Sequence, residues 1–204
     1  MERYLLLTLI LNLKSKGHYK LRKRLFVGIP LRKEFSNPIS AFVRKYSDLK
    51  PINWVLEGNL HITIYFIGSV EEEAINIISN QVNYLVANAS PFTLDVVDVC
   101  FMKGRKNQKM LWAKFHESRE LNELGRRIEG ICLPYTDKRE PFISTIPHIT
   151  IARMKQFKDI DRINTDIAFK TKNLVVDKCC LYESISIEGG VRYEILNTYY
   201  FKSN

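Results

Sequence analysis

The 204-residue chain has little of what staples or anchors a protein. Its four cysteines are Cys100, Cys132, Cys179 and Cys180, and no two of them form a Cys-x-x-Cys pair. Cys179 and Cys180 are adjacent and would face opposite sides of a strand. This spacing excludes a disulfide framework and a zinc site, and it suits the reduced, buried thiols of a cytoplasmic protein. Tyr4 to Leu13 is mostly apolar, but it is too short for the about 20 residues that cross a bilayer. No small-x-small cleavage site follows it, so neither export nor stable membrane insertion is expected. Acids are scarce at the start. Residues 1–24 hold seven Lys and Arg against Glu2 alone, a net of +6 out of the chain total of +9. The rest carries only +3, which is compatible with an anionic substrate but does not demand one. Residues 1–24 are therefore expected to be a dispensable extension. Residues 25–204 are expected to be one domain, long enough for a core and monomeric. No carboxylate cluster points to a metal. Glu71, Glu72 and Glu73 open a helix, where acids suit the dipole of the first turn.

Histidine is scarce too, and two of the four open identical tetrapeptides. His61-Ile62-Thr63-Ile64 recurs as His148-Ile149-Thr150-Ile151. Both copies are short, apolar and β-branched, as strands are. Residues i and i+2 of a strand share a face. Each copy thus sets an imidazole beside a hydroxyl and turns two isoleucines toward a core. A single His-x-Thr means little, but two identical copies in one short chain point to a site. His18 and His116 have no such partner and read as bystanders.

The remaining pattern is α+β. Strands are expected at 25–29, 60–68, 92–102, 110–115, 147–154, 173–187 and 192–202. Helices are expected at 33–47, 70–87 and 118–132, with a short one within 156–166. Lys103, Arg105, Lys106 and Lys109 surround a polar hairpin loop that could touch RNA phosphates. Tyr65, Phe66, Trp54 and Phe142 are candidates to stack on a base, although aromatics at these spacings are mostly core.

The order strand, helix, motif strand, strand occurs twice. Leu25 precedes His61 by 36 residues and Leu111 precedes His148 by 37. This spacing predicts a bilobal protein: two lobes of antiparallel sheet with outer helices, related by a pseudo-twofold axis. Each lobe brings its own His-x-Thr strand to a central cleft. Two histidines across a cleft form a general acid–base pair, since an ordinary pKa near 6.5 lets one be neutral while the other is charged. Threonine hydroxyls beside them can donate to oxygens that gain charge. A phosphodiester between the strands would have its attacking and leaving oxygens on opposite sides of phosphorus, one toward each histidine.

Paired His-x-Thr strands are the signature of the 2H phosphoesterases. The flanking residues resemble their RNA 2′,3′-cyclic phosphodiesterase branch, also called the 2′-5′ RNA ligase family. The similar stretches are Arg24 to Pro30, Trp54 with Asn59 to Gly68, Leu111-Trp112-Ala113, Pro141-Phe142, Pro147 to Arg153, Leu181 to Ser184, and Gly190 to Tyr193. The long leader departs from the family pattern. The resemblance implies metal-independent, cofactor-free hydrolysis of RNA or nucleotide 2′,3′-cyclic phosphate ends to 2′-phosphomonoesters. It also implies that the same site can join ends in reverse. By motif position, His61 protonates the leaving 3′ oxygen and His148 activates water. Thr63 and Thr150 bind the phosphate, and Arg153 joins them. Strict alternation, however, puts Arg153 on the face opposite His148 unless the strand twists or ends there. Two rival readings are a 2H enzyme for another nucleotide, such as a 2′-5′ oligoadenylate or a small cyclic phosphate, and an RNA-binding module without catalysis. Four intact His and Thr positions speak against the second rival.

Overall fold

The computed structural model describes residues 21–104, 108–137, 141–144, 146–155 and 160–202. Nine strands form an antiparallel sheet: β1 (Arg22–Pro30), β2 (Ile52–Trp54), β3 (His61–Glu71), β4 (Phe92–Lys103), β5 (Gln108–Phe115), β6 (His148–Lys155), β7 (Asn173–Val176), β8 (Lys178–Ile187) and β9 (Gly190–Tyr200). Among the described residues three α-helices accompany it: α1 (Lys33–Lys45), α2 (Glu72–Ala87) and α3 (Arg119–Cys132). The strand order is β7-β4-β5-β6-β3-β1-β8-β9, with the short β2 paired to β6. The fold is α+β, as the pattern predicts.

That order is palindromic about the β6–β3 boundary. Strands β1, β3 and β8 on one side mirror β5, β6 and β4 on the other. The repeat read from spacing is present, but each half gives elements to its opposite. β4 follows β3 in sequence yet pairs with β5, and β8 follows β6 yet pairs with β1. The helices cross over as well. Phe35 of α1 packs against Phe115 of β5, with ring centroids 6.1 Å apart. α3, which follows β5, packs against β3.

The helices form for ordinary reasons. α3 buries Leu121, Leu124 and Ile128, spaced three and four residues apart along one face. Ser118 caps it, accepting a hydrogen bond from the Leu121 amide at 3.1 Å. Glu72 and Glu73 sit in the first turn of α2, where they complement the dipole. The Ser79 hydroxyl, buried on α2, receives hydrogen bonds from Asn197 and Tyr199 of β9 and so ties helix to sheet. Ile62, Ile64, Ile149 and Ile151 are each at most 1% exposed and form the centre of the core.

Three boundaries differ from the sequence expectation. β1 begins at Arg22, so the last three residues of the supposed extension belong to the sheet, opposite Glu71, Val70 and Ser69. The charges of Arg22 and Lys23 are paired rather than free. Lys23 lies 3.0 Å from Glu183, and Arg22 lies 2.7 Å from Asp137. Residues 1–20 lie outside the described residues. The segment 173–187 is two strands that part at Asp177, because β7 joins β4 while β8 joins β1. The helix expected within 156–166 is a single 3-10 turn, Ile160–Arg162, where it is described. All four cysteines are free. Among the described residues, no helix is long and apolar enough to cross a membrane.

Candidate active site

β3 and β6 are neighbours, but they pair at one position only, Ile62 opposite Ile149. On the face away from the isoleucines the two strands open a cleft of about 170 Å³. His61, Thr63, His148, Thr150 and Arg153 all line it. The five residues singled out from sequence therefore meet in one place.

Each imidazole is held in the same way. His61 Nδ1 lies 2.7 Å from the Asn59 carbonyl oxygen, and His148 Nδ1 lies 2.9 Å from that of Ile146. A carbonyl only accepts, so Nδ1 carries the proton in both rings. Each neutral ring therefore keeps its lone pair on Nε2. The Nε2 of His61 lies 3.1 Å from the Thr63 hydroxyl. The two histidines are the same tautomer, fixed by the carbonyl two residues upstream.

Aromatic rings support both. Trp112 stacks on His148 with centroids 3.6 Å apart and planes 16° apart. Phe26 lies 4.7 Å from His61, and Tyr193 meets that ring edge-on at 5.1 Å. Phe26 and Trp112 occupy the same place in the two repeats, in Leu25-Phe26-Val27 and Leu111-Trp112-Ala113. Aligning the repeats would have found them from sequence. Gly28 lets this layer close. A Cβ there would meet the Ile62 carbonyl at 3.0 Å and the His61 ring at 3.3 Å.

Arg153 reaches the cleft through a β-bulge. Leu111 pairs with Ala152, but the next residue, Trp112, pairs with Thr150. Ile151 is therefore the extra residue, which flips the alternation beyond it. Ile151 and Ala152 are both buried, and Arg153 returns to the face of His148. β3 does the same at Ile64: Val27 pairs with Tyr65 and Gly28 with Thr63. There the displaced residue is Phe66, 60% exposed and also lining the cleft. The two bulges place a cation and an aromatic ring at equivalent positions. Of the other stacking candidates, Trp54 lies beside the cleft, whereas Tyr65 is buried in the core and packs against Phe142. Lys103 and Lys109 pair at the end of the β4–β5 hairpin, and Arg105 and Lys106 lie outside the described residues. His116 is exposed on the loop after β5.

Burial depresses both imidazoles. His61 falls to about 4, chiefly by loss of water; the Asn59 carbonyl opposes this, while Arg153 and His148 add to the fall. His148 is lowered by burial, opposed by the Ile146 carbonyl and assisted by Arg153. Both rings are neutral at pH 7 before an anion arrives. Among the described residues, no three His, Cys, Asp or Glu side chains gather as metal ligands.

This architecture is similar to that of solved LigT structures. E. coli LigT in its apo form aligns with a TM-score of 0.70, at 23% identity, over 89% of this chain and 99% of that chain. The same protein complexed with 3′-AMP gives a TM-score of 0.67 at 21% identity, over 89% and 99%. Residues 29–112 match the model of the LigT like Phosphoesterase family. A protein of Thermotoga maritima named RNA 2′,3′-cyclic phosphodiesterase is 25% identical over 175 residues, 85% of this chain and 92% of its own. One of the same name from Geobacillus stearothermophilus is 32% identical over 138 residues, 66% of this chain and 43% of its own. Residues 29–112 thus resemble the LigT like Phosphoesterase family, and the fold over most of the chain is that of the solved LigT structures.

Proposed function

We propose that this protein hydrolyses RNA 2′,3′-cyclic phosphate ends to 2′-phosphomonoesters by acid–base catalysis between His61 and His148. The carrying observation is the matched pair of tautomers: two Nε2 atoms on strands from opposite halves, with Arg153 lining the same cleft. The relatives named RNA 2′,3′-cyclic phosphodiesterase and the LigT complex with 3′-AMP support the substrate class.

In the reaction, His148 Nε2 accepts a proton from water as its oxygen attacks phosphorus. The bond from phosphorus to O3′ breaks, and His61 Nε2–H gives its proton to that oxygen. A proton then returns from His148 to His61 by way of solvent. The depressed pKa values fit this division. The ring pushed to about 4 is the stronger acid, and His148 is the less perturbed base. The bound phosphate anion offsets Arg153 and lets His61 take up its proton. Thr63 and Thr150 donate to the phosphate oxygens, and Arg153 neutralises them. With a 5′-hydroxyl end in place of the attacking water, the same path, with P–O3′ breaking and His61 protonating O3′, joins RNA through a 2′-5′ linkage.

The test is a short RNA ending in a 2′,3′-cyclic phosphate, incubated with the protein in EDTA. A 2′-phosphate product is expected. A 3′-phosphate product, or turnover that EDTA abolishes, contradicts the mechanism.

A further inference from the structure

The catalytic cleft is too small for a nucleotide. At about 170 Å³ it falls below the roughly 300–1,000 Å³ of sites that enclose a small ligand. It has room for a phosphate and part of a ribose, so the base must lie elsewhere. A second cavity of about 450 Å³ adjoins it and shares Val55, Asn59, Arg153 and Tyr193 with it. The two form one path that runs outward from the phosphate position.

The far part of that path is chemically unlike the near part. Arg153 is the only cation among its described lining residues, and it stands at the junction. Beyond it lie the amides Asn53 and Gln108 and the carboxylate of Glu188. Leu56, Ile187 and Val191, 65%, 43% and 38% exposed, supply apolar surface. A second phosphate would meet Glu188 there and be repelled. A nucleobase would find flat apolar contact for its faces, with amide and carboxylate partners for its edge.

The groove is also held in place. The β8–β9 turn, with Gly189 at φ +81°, forms one wall. The Asn59 side chain ties that wall to the catalytic strand. Its Nδ2 donates to the Val191 carbonyl at 2.7 Å, and its Oδ1 accepts from the Tyr193 amide at 3.0 Å. The backbone carbonyl of the same Asn59 holds His61. One residue therefore fixes the distance from groove to imidazole, which is the preorganisation that a positioned substrate needs.

We infer that the groove between residues 53–59 and the β8–β9 turn is a subsite for the base of the 3′-terminal nucleotide, which rests on the function proposed above. The terminal ribose and cyclic phosphate occupy the cleft, the base enters the groove, and the RNA backbone leaves toward solvent, away from Glu188.

The experiment compares two substrates: a nucleoside 2′,3′-cyclic phosphate and 1-O-methylribose 2′,3′-cyclic phosphate, which has no base. kcat/KM is measured for the wild type, Leu56→Ala and Gln108→Ala, with thermal melts to verify folding. The wild type is expected to prefer the base-bearing substrate by about tenfold or more, mainly through KM, as stacking and edge contacts to one base provide. Either variant is expected to cut that ratio several-fold. Equal rates on the two substrates, or a ratio that both variants leave unchanged, overturn the subsite while the reaction stands. Turnover of neither substrate overturns the proposed reaction itself.

Discussion

Trp112 lies flat on His148 at 3.6 Å, and Phe26 holds the equivalent place beside His61 at 4.7 Å. The first strand of each half thus supplies a ring that excludes water from an imidazole. The ring packs flat against the His148 imidazole, and burial lowers the pKa of that imidazole. Replacing Trp112 by Leu removes the flat face and admits water to His148. Its pKa then rises toward the ordinary value, because desolvation disfavoured the charged ring. The expected result is a fall in kcat/KM of about tenfold or more, with the pH optimum moved upward. Activity loss with an unmoved pH profile would show that the ring only packs.

The histidines themselves give a sharper outcome. Proton transfer by one positioned group typically contributes about 10²–10⁴-fold. His61→Ala and His148→Ala are each expected to lose activity on that scale. The double variant is expected to lose little more than the worse single one, because two groups serving one transition state act as a unit. Product isomers separated by chromatography provide the readout. Strict additivity of the two losses would mean that the histidines act in separate steps.

His61, Thr63, His148 and Thr150 were legible because strand alternation has a period of two and the tetrapeptide is repeated. Arg153 was reached only through the family resemblance, because alternation fails at a bulge, and a bulge depends on pairing with a distant strand. The clue was two successive apolar residues, Ile151-Ala152, repeated as Ile64-Tyr65. β2 escaped notice because it is only Ile52–Trp54 and exists by pairing with β6. The palindromic strand order was only half visible. Spacing revealed the repeat, but which half receives β4 and β8 is decided by long-range pairing. The charge of Arg22 and Lys23 was misleading for the same reason, since their acidic partners Asp137 and Glu183 lie far away in sequence.

The depressed pKa values set the pH dependence. Above the ordinary value of about 6.5 both free imidazoles are neutral and the acid is missing. Well below it both are charged and the base is missing. The kcat/KM profile, which reports the free enzyme, is expected to be a bell centred below pH 6.5. The substrate's negative charge raises both rings, so the kcat profile is expected to peak at higher pH. A kcat/KM optimum above pH 7.5 would contradict the buried, cation-flanked geometry.

Arg153 lowers both histidines and, in the proposed reaction, also faces the phosphate, so its loss has two separable effects. Arg153→Gln removes a positive charge, which favours the imidazolium and moves the kcat/KM optimum upward. It also removes a charge-assisted hydrogen bond worth about 1.5–3 kcal/mol, or about 10- to 150-fold in kcat/KM. Steady-state rates across pH separate the two. Weaker kcat/KM without a shifted optimum would place the guanidinium on the phosphate but too far from the rings to tune them.

Gly28 tests how tightly the site is built. An alanine Cβ there would come within 3.0 Å of the Ile62 carbonyl and 3.3 Å of the His61 ring. A backbone carbonyl at the centre of the sheet cannot move aside cheaply, and overpacking of this kind costs about 1–3 kcal/mol. Relief by a shift of β3 would carry His61 with it, and a displacement of about 1 Å can cost on the order of 10²-fold in rate. Gly28→Ala is therefore expected to lower both Tm and kcat. Gly130→Ala, on α3 away from the cleft, is the control, since an added Cβ there meets nothing within 4 Å, and it is expected to lower neither. Full activity in a melted-down Gly28→Ala protein would mean that the sheet yields elsewhere and that His61 keeps its place without the glycine.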